Sequence, residues 1–325
     1  MNTLQEYSKP YITPQKLVTD YLVAKKGLSI QGDEIDFAGK VLSQINWYHL
    51  KIYFYPFIQD LNAPEEKYKP QTKFSDGWNI YLLDDDLRKI IIKYTLKIEI
   101  ISKSYIDQAI TEFTNDPFWY VNDDYFIKNQ QPYYERSQIL SKMAKSDADF
   151  VKHFKKNYKS PYISYRLLPP FWIAMELITF DQFLKIIEKL NPQTFEKKGE
   201  NVLDKCAKKL GAENFKQLKS WLEVIKYIRN QACHNSRLWN SKHMIPKGLE
   251  GYSKPTEENI NPHRIYLIIL SIYLMTKDSI TIDKNIKEEM QKLFADYKDK
   301  IINLEKQMGF PQNWNTETGT VLNFV

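Results

Sequence analysis

"SDGWNIYLLDDDLRKIIIKYTLKIEIISKSYIDQAI", residues 75–110, is the stretch that decides the fold. Apolar side chains recur in it every three or four residues, which is the period of an amphipathic α-helix. The short run "IEII" would also suit a strand, but the helical period continues on both sides of it. The stretch therefore predicts one long helix, capped by Ser75 or Asp76. Its apolar positions are Leu83, Leu87, Ile90, Ile91, Tyr94, Ile98, Ile101 and Tyr105.

Helical patterns continue on both sides of this stretch. Upstream, Thr13 and Pro14 are start signals and Gly27 is a stop signal, which predicts a helix over 12–27. Downstream, "ENFKQLKSWLEVIKYIRNQACHNSRLW" carries an apolar face of Leu218, Trp221, Leu222, Ile225, Ile228 and Ala232. Further helices are predicted at about 35–48, 136–157, 171–190, 199–210, 262–277 and 284–307.

The fold class follows from these patterns and from the composition. Ten glycines in 325 residues are few, and Lys, Glu, Leu and Ile are common, which favours helices over a fold of strands and turns. We expect an all-α protein that forms a single helical unit. It would comprise an N-terminal helical extension over 1–60, a multi-helix bundle over 75–308 and a tail over 309–325.

Charge, cysteine content and hydropathy indicate which partners and which cellular compartment to expect. The net charge of +6 is a mild excess, compatible with an anionic partner but not diagnostic of one. Two cysteines build neither a disulfide framework nor a zinc site, which suggests a reducing cytoplasm. The first residues lack the features of a signal peptide. The longest apolar run, residues 265–275, is well short of the roughly 20 residues that span a bilayer, so no membrane segment is expected.

The segment "IRNQACHNSRLWN", residues 228–240, concentrates the residues suited to chemistry. On a continuous helix Asn230, His234 and Arg237 share one face, because they are spaced four and three apart. Arg229 lies roughly 140° around the axis from His234. The two side chains therefore meet on one substrate only if Arg229 reaches around, the helix distorts, or a second copy contributes.

These residue types suit the cleavage of RNA by its own 2′-hydroxyl. Histidine titrates near neutrality and can move the proton, and arginine binds phosphate while it stays charged. Asparagine can orient either group, and the reaction needs neither a metal nor a cofactor. The structural alternative is a polar helix end in which His234 is a cap or a surface residue. Spacing alone favours that alternative, because Arg-x4-His is a short pattern.

Arg229-Asn230-x3-His234 resembles the R-x(4–6)-H motif of the HEPN superfamily of ribonucleases. The wider string "RNQACHNSRLWN" resembles the signature of the Abi (abortive-infection) family of the AbiD/AbiF type. In this chain His49 and Ser102–Lys103 stand where the family usually has arginine. The resemblance spans about residues 9 to 275 and is also carried by "KPYITPQKLVTDYLVAKKGLSI", "LSQINWYHLKIYFYPF", "IYLLDDDLRKIIIKYTLKIEI" and "PPFWIAMELITFDQF".

The resemblance implies a HEPN-like bundle that works as a homodimer, since HEPN ribonucleases need two facing motifs and this chain shows one. It implies that Arg229 holds phosphate, that His234 transfers a proton or positions the 2′-hydroxyl, and that Asn230 supports them. It also implies a toxin of a phage-defence system. Such a toxin must be restrained, and a small non-coding RNA is one candidate inhibitor. A non-catalytic RNA-binding or phage-sensing protein on the same fold is the alternative.

Other segments offer weaker candidates. The aromatic block 46–57 could stack RNA bases, with His49 and Lys51 as contacts, although such density is more often core. Arg237 is a further RNA-binding candidate because of its predicted shared face with His234. Glu99 is expected on a helix surface or in a salt bridge rather than at a metal site, and Cys233 is expected to be buried. The basic stretch 152–159 could follow an RNA backbone through Lys152, Lys155 and Lys156, or be a solvated helix face.

Overall fold

The computed structural model of the chain describes Glu6, residues 10–249, residues 261–311 and Trp314. Helices make up 61% of it, and the two strands of the described part form one hairpin that pairs Glu196–Lys197 with Glu200–Asn201. The predicted all-α class is confirmed. Most of the predicted tail over 309–325, together with residues 250–260, lies outside the described residues.

The chain groups into two compact units, one of Met1–Asp86 with Leu293–Leu304 and one of Leu87–Lys292 with Glu305–Val325. The boundary falls inside the long helix predicted from 75–110, which runs over Phe74–Thr114. The predicted organisation, a single unit with an extension over 1–60 and a bundle over 75–308, stays a prediction.

The first unit begins with the predicted N-terminal helix. Helix α1 (Pro14–Lys16) continues into a π-helical segment, Leu17–Val23, and Gly27 follows with a φ of 77°. The hydroxyl of Thr13 accepts the N–H of Lys16 at 3.4 Å, so the predicted cap is confirmed. The remaining helices before the long one are α2 (Asp33–Gln44), α3 (Trp47–Leu50) and a 3-10 helix, Lys51–Phe57.

The predicted end of the helix over 35–48 is wrong, because the helical conformation is interrupted between α2 and α3. Asn46 causes the break by capping α3 with its side chain, which accepts the N–H of Tyr48 at 2.7 Å. Beyond the break, Phe54 is buried against helix α4 (Phe74–Thr114), where Gly77 leaves room for its ring. The aromatic block is thus core on one side, while Tyr48 and Tyr55 on its other side are exposed.

The second unit is built from helices that follow α4. Three of the helices predicted there are each broken in two. Thr179 starts a new helix through a capping box with Gln182, and the Ser146 hydroxyl accepts the N–H of Ala148 after the first break. The helices in order are α5 (Tyr133–Lys145), α6 (Asp149–Asn157), α7 (Phe171–Leu177), α8 (Phe180–Glu188), α9 (Val202–Lys209), α10 (Phe215–Cys233), α11 (Tyr266–Thr276), α12 (Ile286–Tyr297) and α13 (Leu304–Gln307). The end of α12, from Leu293, and the first residue of α13, Leu304, are assigned to the first unit.

Helix α10 lies in the centre of this unit and packs against α8, α9 and α11. Its predicted apolar face is confirmed, since all six of the predicted side chains are buried: Leu218, Trp221, Leu222, Ile225, Ile228 and Ala232. Helix α11 is buried nearly all round. None of the helices in the described ranges has the length and apolar character needed to cross a membrane. The apolar face of α10 is buried along the whole helix, whereas Asn230 and Cys233 in its last turn, and His234 directly after it, are exposed.

Candidate functional site at the end of helix α10

The candidate site lies at the C-terminal end of α10, and local bonds determine where that helix begins and ends. At its start, the Asn214 side chain accepts the N–H of Gln217 at 3.0 Å. At its end, Asn235 adopts a left-handed φ of 53°. The N–H of Ser236 reaches the Gln231 carbonyl at 2.9 Å, and the N–H of Asn235 reaches that of Ala232 at 3.2 Å. This pair of bonds is a Schellman motif, which ends the helix at Cys233.

His234 is therefore the C-cap of α10 and is exposed. Its own N–H still bonds to the Asn230 carbonyl at 3.0 Å, so its position relative to the last turn remains close to helical. An exposed imidazole at a helix end can reach a ligand that approaches from solvent. The signal for this helix end was Asn235, because asparagine is one of the residues that adopt the left-handed conformation at a helix terminus.

Two predictions about this segment are wrong. Arg237 does not share a helical face with Asn230 and His234, because the left-handed residue Asn235 ends the helix before it. A role of Arg237 in RNA binding stays a prediction without that support. Cys233 is exposed rather than buried, because it is the last helical residue and lies beyond the buried Ala232.

Arg229 is held by two contacts. Its Nη2 donates to Glu99 Oε2 of helix α4 at 2.7 Å, and its Nη1 donates to Asn230 Oδ1 at 3.0 Å. Glu99 also accepts from Lys103 Nζ at 2.8 Å, one turn further along α4. Of the two alternatives predicted for Glu99, a helix surface or a salt bridge, the structure shows the salt bridge. Two cations share one carboxylate, so the cluster of Glu99, Lys103 and Arg229 keeps a net positive charge.

The cluster is partly shielded from solvent, with 26% of the Arg229 side chain and 15% of the Glu99 side chain exposed. Burial raises the pKa of the Glu99 carboxyl, but the hydrogen bonds and charges of Lys103 and Arg229 outweigh burial, so this pKa lies below its ordinary value. Glu99 is accordingly charged at neutral pH. A guanidinium group has five N–H donors, and the two contacts occupy two of them, which leaves three for a ligand such as phosphate.

Arg229 and His234 are not joined by a hydrogen bond in the part of the chain that the structure describes. Their separation of five residues places them roughly 140° apart around the helix axis. One chain therefore presents an oriented cation and an exposed imidazole on different sides of one helix end. The exposed side chain of Asn230 accepts from Arg229, whereas the backbone carbonyl of Asn230 accepts the N–H of His234.

The other predicted RNA contacts lie elsewhere. His49 is exposed and packs edge-on against Tyr81, whereas the ammonium of Lys51 lies 4.0 Å from the centre of the Tyr48 ring. The remaining three, Lys152, Lys155 and Lys156, are exposed on α6, where Lys152 pairs with Asp147 at 3.6 Å. These lysines form a solvated helix face, which was one of the two alternatives predicted for residues 152–159. RNA binding by this face stays a prediction.

Metal ligands are not gathered at the candidate site. Within the ranges 10–249 and 261–311, no three or more His, Cys, Asp or Glu side chains are grouped so that they could hold a metal ion. The residue of the candidate site that sequence reasoning did not connect with Arg229 is Glu99, which was weighed as a metal ligand and expected on a helix surface or in a salt bridge. It lies 130 positions before Arg229, so no local pattern links the two residues.

One comparison with known proteins includes the residues of the candidate site. A family model described as "Abi-like protein" matches residues 40–240. The matched range begins before the aromatic block and includes Glu99, Arg229 and His234. Searches of curated proteins and of solved structures find no match.

Proposed function

The chain belongs to the Abi-like protein family, and from that premise we propose that it is a metal-independent endoribonuclease toxin of a phage-defence system. Family membership itself indicates abortive-infection defence. The finer assignments, to the AbiD/AbiF type and to the HEPN superfamily of ribonucleases, are part of this proposal. They rest on the Arg229-Asn230-x3-His234 motif.

The arrangement of Arg229 is the observation that carries the proposal. An arginine that only stabilised the fold would be shielded from solvent. Arg229 instead is anchored on one side by Glu99 and keeps three N–H donors on a partly exposed guanidinium. Glu99 and Asn230 thus hold it in one orientation, and an oriented cation is what a reaction at phosphate needs as negative charge builds up.

The proposed reaction uses the RNA itself as nucleophile. A base takes the proton of the 2′-hydroxyl, the 2′-oxygen bonds to the adjacent phosphorus, and the bond to the 5′-oxygen breaks while an acid protonates that oxygen. The products are a 2′,3′-cyclic phosphate and a 5′-hydroxyl. His234 transfers one of these protons, and Arg229 holds the charged phosphate.

A homodimer would complete the site. Arg229 and His234 diverge on one helix, so one copy cannot easily place both on the same phosphate. A twofold contact between two α10 ends would bring each arginine near the histidine of the other copy. An RNA inhibitor is the simplest restraint for such a toxin, because a cleft that cleaves RNA already binds it.

The decisive experiment compares RNA cleavage by the purified chain with that of His234→Ala. We expect the variant to lose about 100-fold or more of the cleavage rate, as for the loss of a proton-transfer group. His153→Ala is the matched control, because His153 is an exposed histidine on helix α6 of the same unit. It should cleave like the original chain, and added EDTA should not reduce the rate.

Several outcomes would contradict the proposal. A fully active His234→Ala variant would remove the histidine from the chemistry, and loss of cleavage in EDTA would argue for a metal. An active monomer in sedimentation would contradict the composite site alone. If the original chain binds RNA without cleaving it, the non-catalytic alternative is correct.

A further inference from the structure

A cavity of about 1120 Å³ lies within the first unit, between the N-terminal helix and the exposed side of the aromatic block. Ligand pockets in proteins are commonly about 300–1,000 Å³, so this cavity is large enough for more than one nucleotide. The site lies in residues 10–68 and shares no residue with the Arg229–His234 end of α10. Six aromatic side chains line it: Tyr11, Tyr21, Trp47, Tyr48, Tyr55 and Tyr68.

These rings are of two kinds. Tyr68 is buried and belongs to the packing of the unit, whereas Tyr48 is 78% exposed and Tyr11 is 86% exposed. Exposed aromatic rings beside a cavity contribute little to the stability of the fold, because most of their surface stays in contact with water. They are suited to cover a flat ligand. The backbone of Tyr48 is held at the start of α3, where its N–H bonds to the Asn46 side chain at 2.7 Å.

The charges at this cavity are mainly positive, with Lys25, Lys26 and Lys51 against Glu66 among the lining residues. Lys26 pairs with Glu66 at 3.1 Å, and Lys25 lies 3.8 Å from Glu65. Lys51 forms no ion pair in the described part of the chain and instead lies 4.0 Å from the centre of the Tyr48 ring. It therefore presents a free cation directly beside an exposed ring.

We propose that this cavity binds unpaired bases of an RNA strand, with Tyr48 stacking on a base and Lys51 contacting the adjacent phosphate. Exposed rings that alternate with lysines are the combination by which proteins hold single strands, since every base has a flat face and every nucleotide a negative charge. A duplex does not fit, because its bases are already stacked on one another. The choice of RNA rests on the proposed function, but binding here does not require cleavage.

Fluorescence anisotropy of the full chain with a labelled 2′-O-methyl oligouridylate of about 12 nucleotides tests this proposal. This probe lacks the free 2′-hydroxyl that the proposed reaction needs, so binding is measured whether or not the protein is a nuclease. Tyr48→Ala should weaken binding about tenfold, and Tyr48→Trp should restore it. Lys51→Ala should lower the slope of log Kd against log salt by about 0.7, the value for one lost phosphate contact.

Tyr134→Ala is the matched control, because Tyr134 is 64% exposed on helix α5 of the other unit. The proposal is overturned if Tyr48→Ala binds as well as Tyr134→Ala, if Tyr48→Trp is as weak as Tyr48→Ala, or if an RNA hairpin without unpaired bases competes equally. It is also overturned if His234→Ala abolishes binding of this probe, which would place the site at the end of α10. Absence of cleavage by the original chain would contradict the proposed nuclease and leave these binding results unaffected.

Discussion

Arg136 and Arg229 make the same contact in opposite surroundings. Arg136 pairs with Asp123 at 2.6 Å, and Arg229 pairs with Glu99 at 2.7 Å. The Arg136 side chain is only 1% exposed, and its Nε also donates to the Tyr120 carbonyl at 2.8 Å. The Arg229 side chain is 26% exposed at a helix end. A carboxylate partner therefore does not distinguish a structural arginine from one that can bind a ligand; burial does.

The aromatic rings around Arg136 complete that contrast. Its guanidinium lies 5.2 to 5.5 Å from the ring centres of Phe126, Tyr133 and Tyr165. A charge enclosed in this way joins the packing of the α5 region and cannot meet an RNA phosphate without opening the fold. Arg229 can do so without any rearrangement of the core.

The largest expected effect separates the two arginines by stability. Arg136→Ala should lower the free energy of unfolding by about 2–5 kcal/mol, because it leaves a cavity among the rings and removes the hydrogen bond from Nε to the Tyr120 carbonyl. Arg229→Ala should lower it by about 1 kcal/mol or less, since the pair is partly exposed. Urea unfolding followed by circular dichroism measures both.

A matched variant sharpens this test. Arg136→Met fills most of the same volume without a charge that must be desolvated, so it should destabilise less than Arg136→Ala. Equal losses of stability for Arg136→Ala and Arg229→Ala would show that the two sites do not differ as their burial indicates.

The next expected effect concerns Glu99 as a positioning residue. Glu99→Gln keeps an acceptor for Arg229 but removes the charge that anchors it, so kcat should fall about 10- to 100-fold. RNA affinity should stay the same or increase, because the cluster with Lys103 becomes more positive. Single-turnover cleavage measures the effect on the rate, and a separate binding titration measures the effect on RNA affinity.

Glu112→Gln is the control for this variant, because Glu112 is an exposed glutamate on the same helix. It should change neither quantity. Faster cleavage by Glu99→Gln would mean that Glu99 restrains Arg229 rather than positioning it, and an unchanged rate would mean that the ion pair has no part in the reaction.

The smallest expected effect concerns the helix end that exposes His234. Asn235→Val places a β-branched residue at a φ of 53°, which should destabilise the protein by about 1–2 kcal/mol and lower cleavage through a shift of His234. Asn235→Gly suits this conformation and should leave both stability and cleavage nearly unchanged. Similar behaviour of the two variants would contradict a role of this residue in ending the helix.

The sequence predicted the helices better than their breaks. The buried face of α10 follows from its periodicity, and Thr13 and Gly27 mark the ends of the N-terminal helix as expected. The break before α8 was missed, although Thr179 and Gln182 have the spacing of a capping box, because apolar residues continue across it. The stop at Asn235 was missed because asparagine also occurs inside helices, and the predicted face that included Arg237 failed with it.

What the sequence determined by itself is local. Helix periods, caps and the Arg229–His234 spacing depend on residues within a few positions of each other, and their physical causes act over one or two turns. The tertiary structure alone decided which charge meets which. Glu99 reaches Arg229 across 130 positions, and Tyr48 and Lys51 face a cavity while Phe54 in the same block is buried. Such pairings depend on how whole helices pack, because burial sets both which side chains meet and how strongly their charges interact.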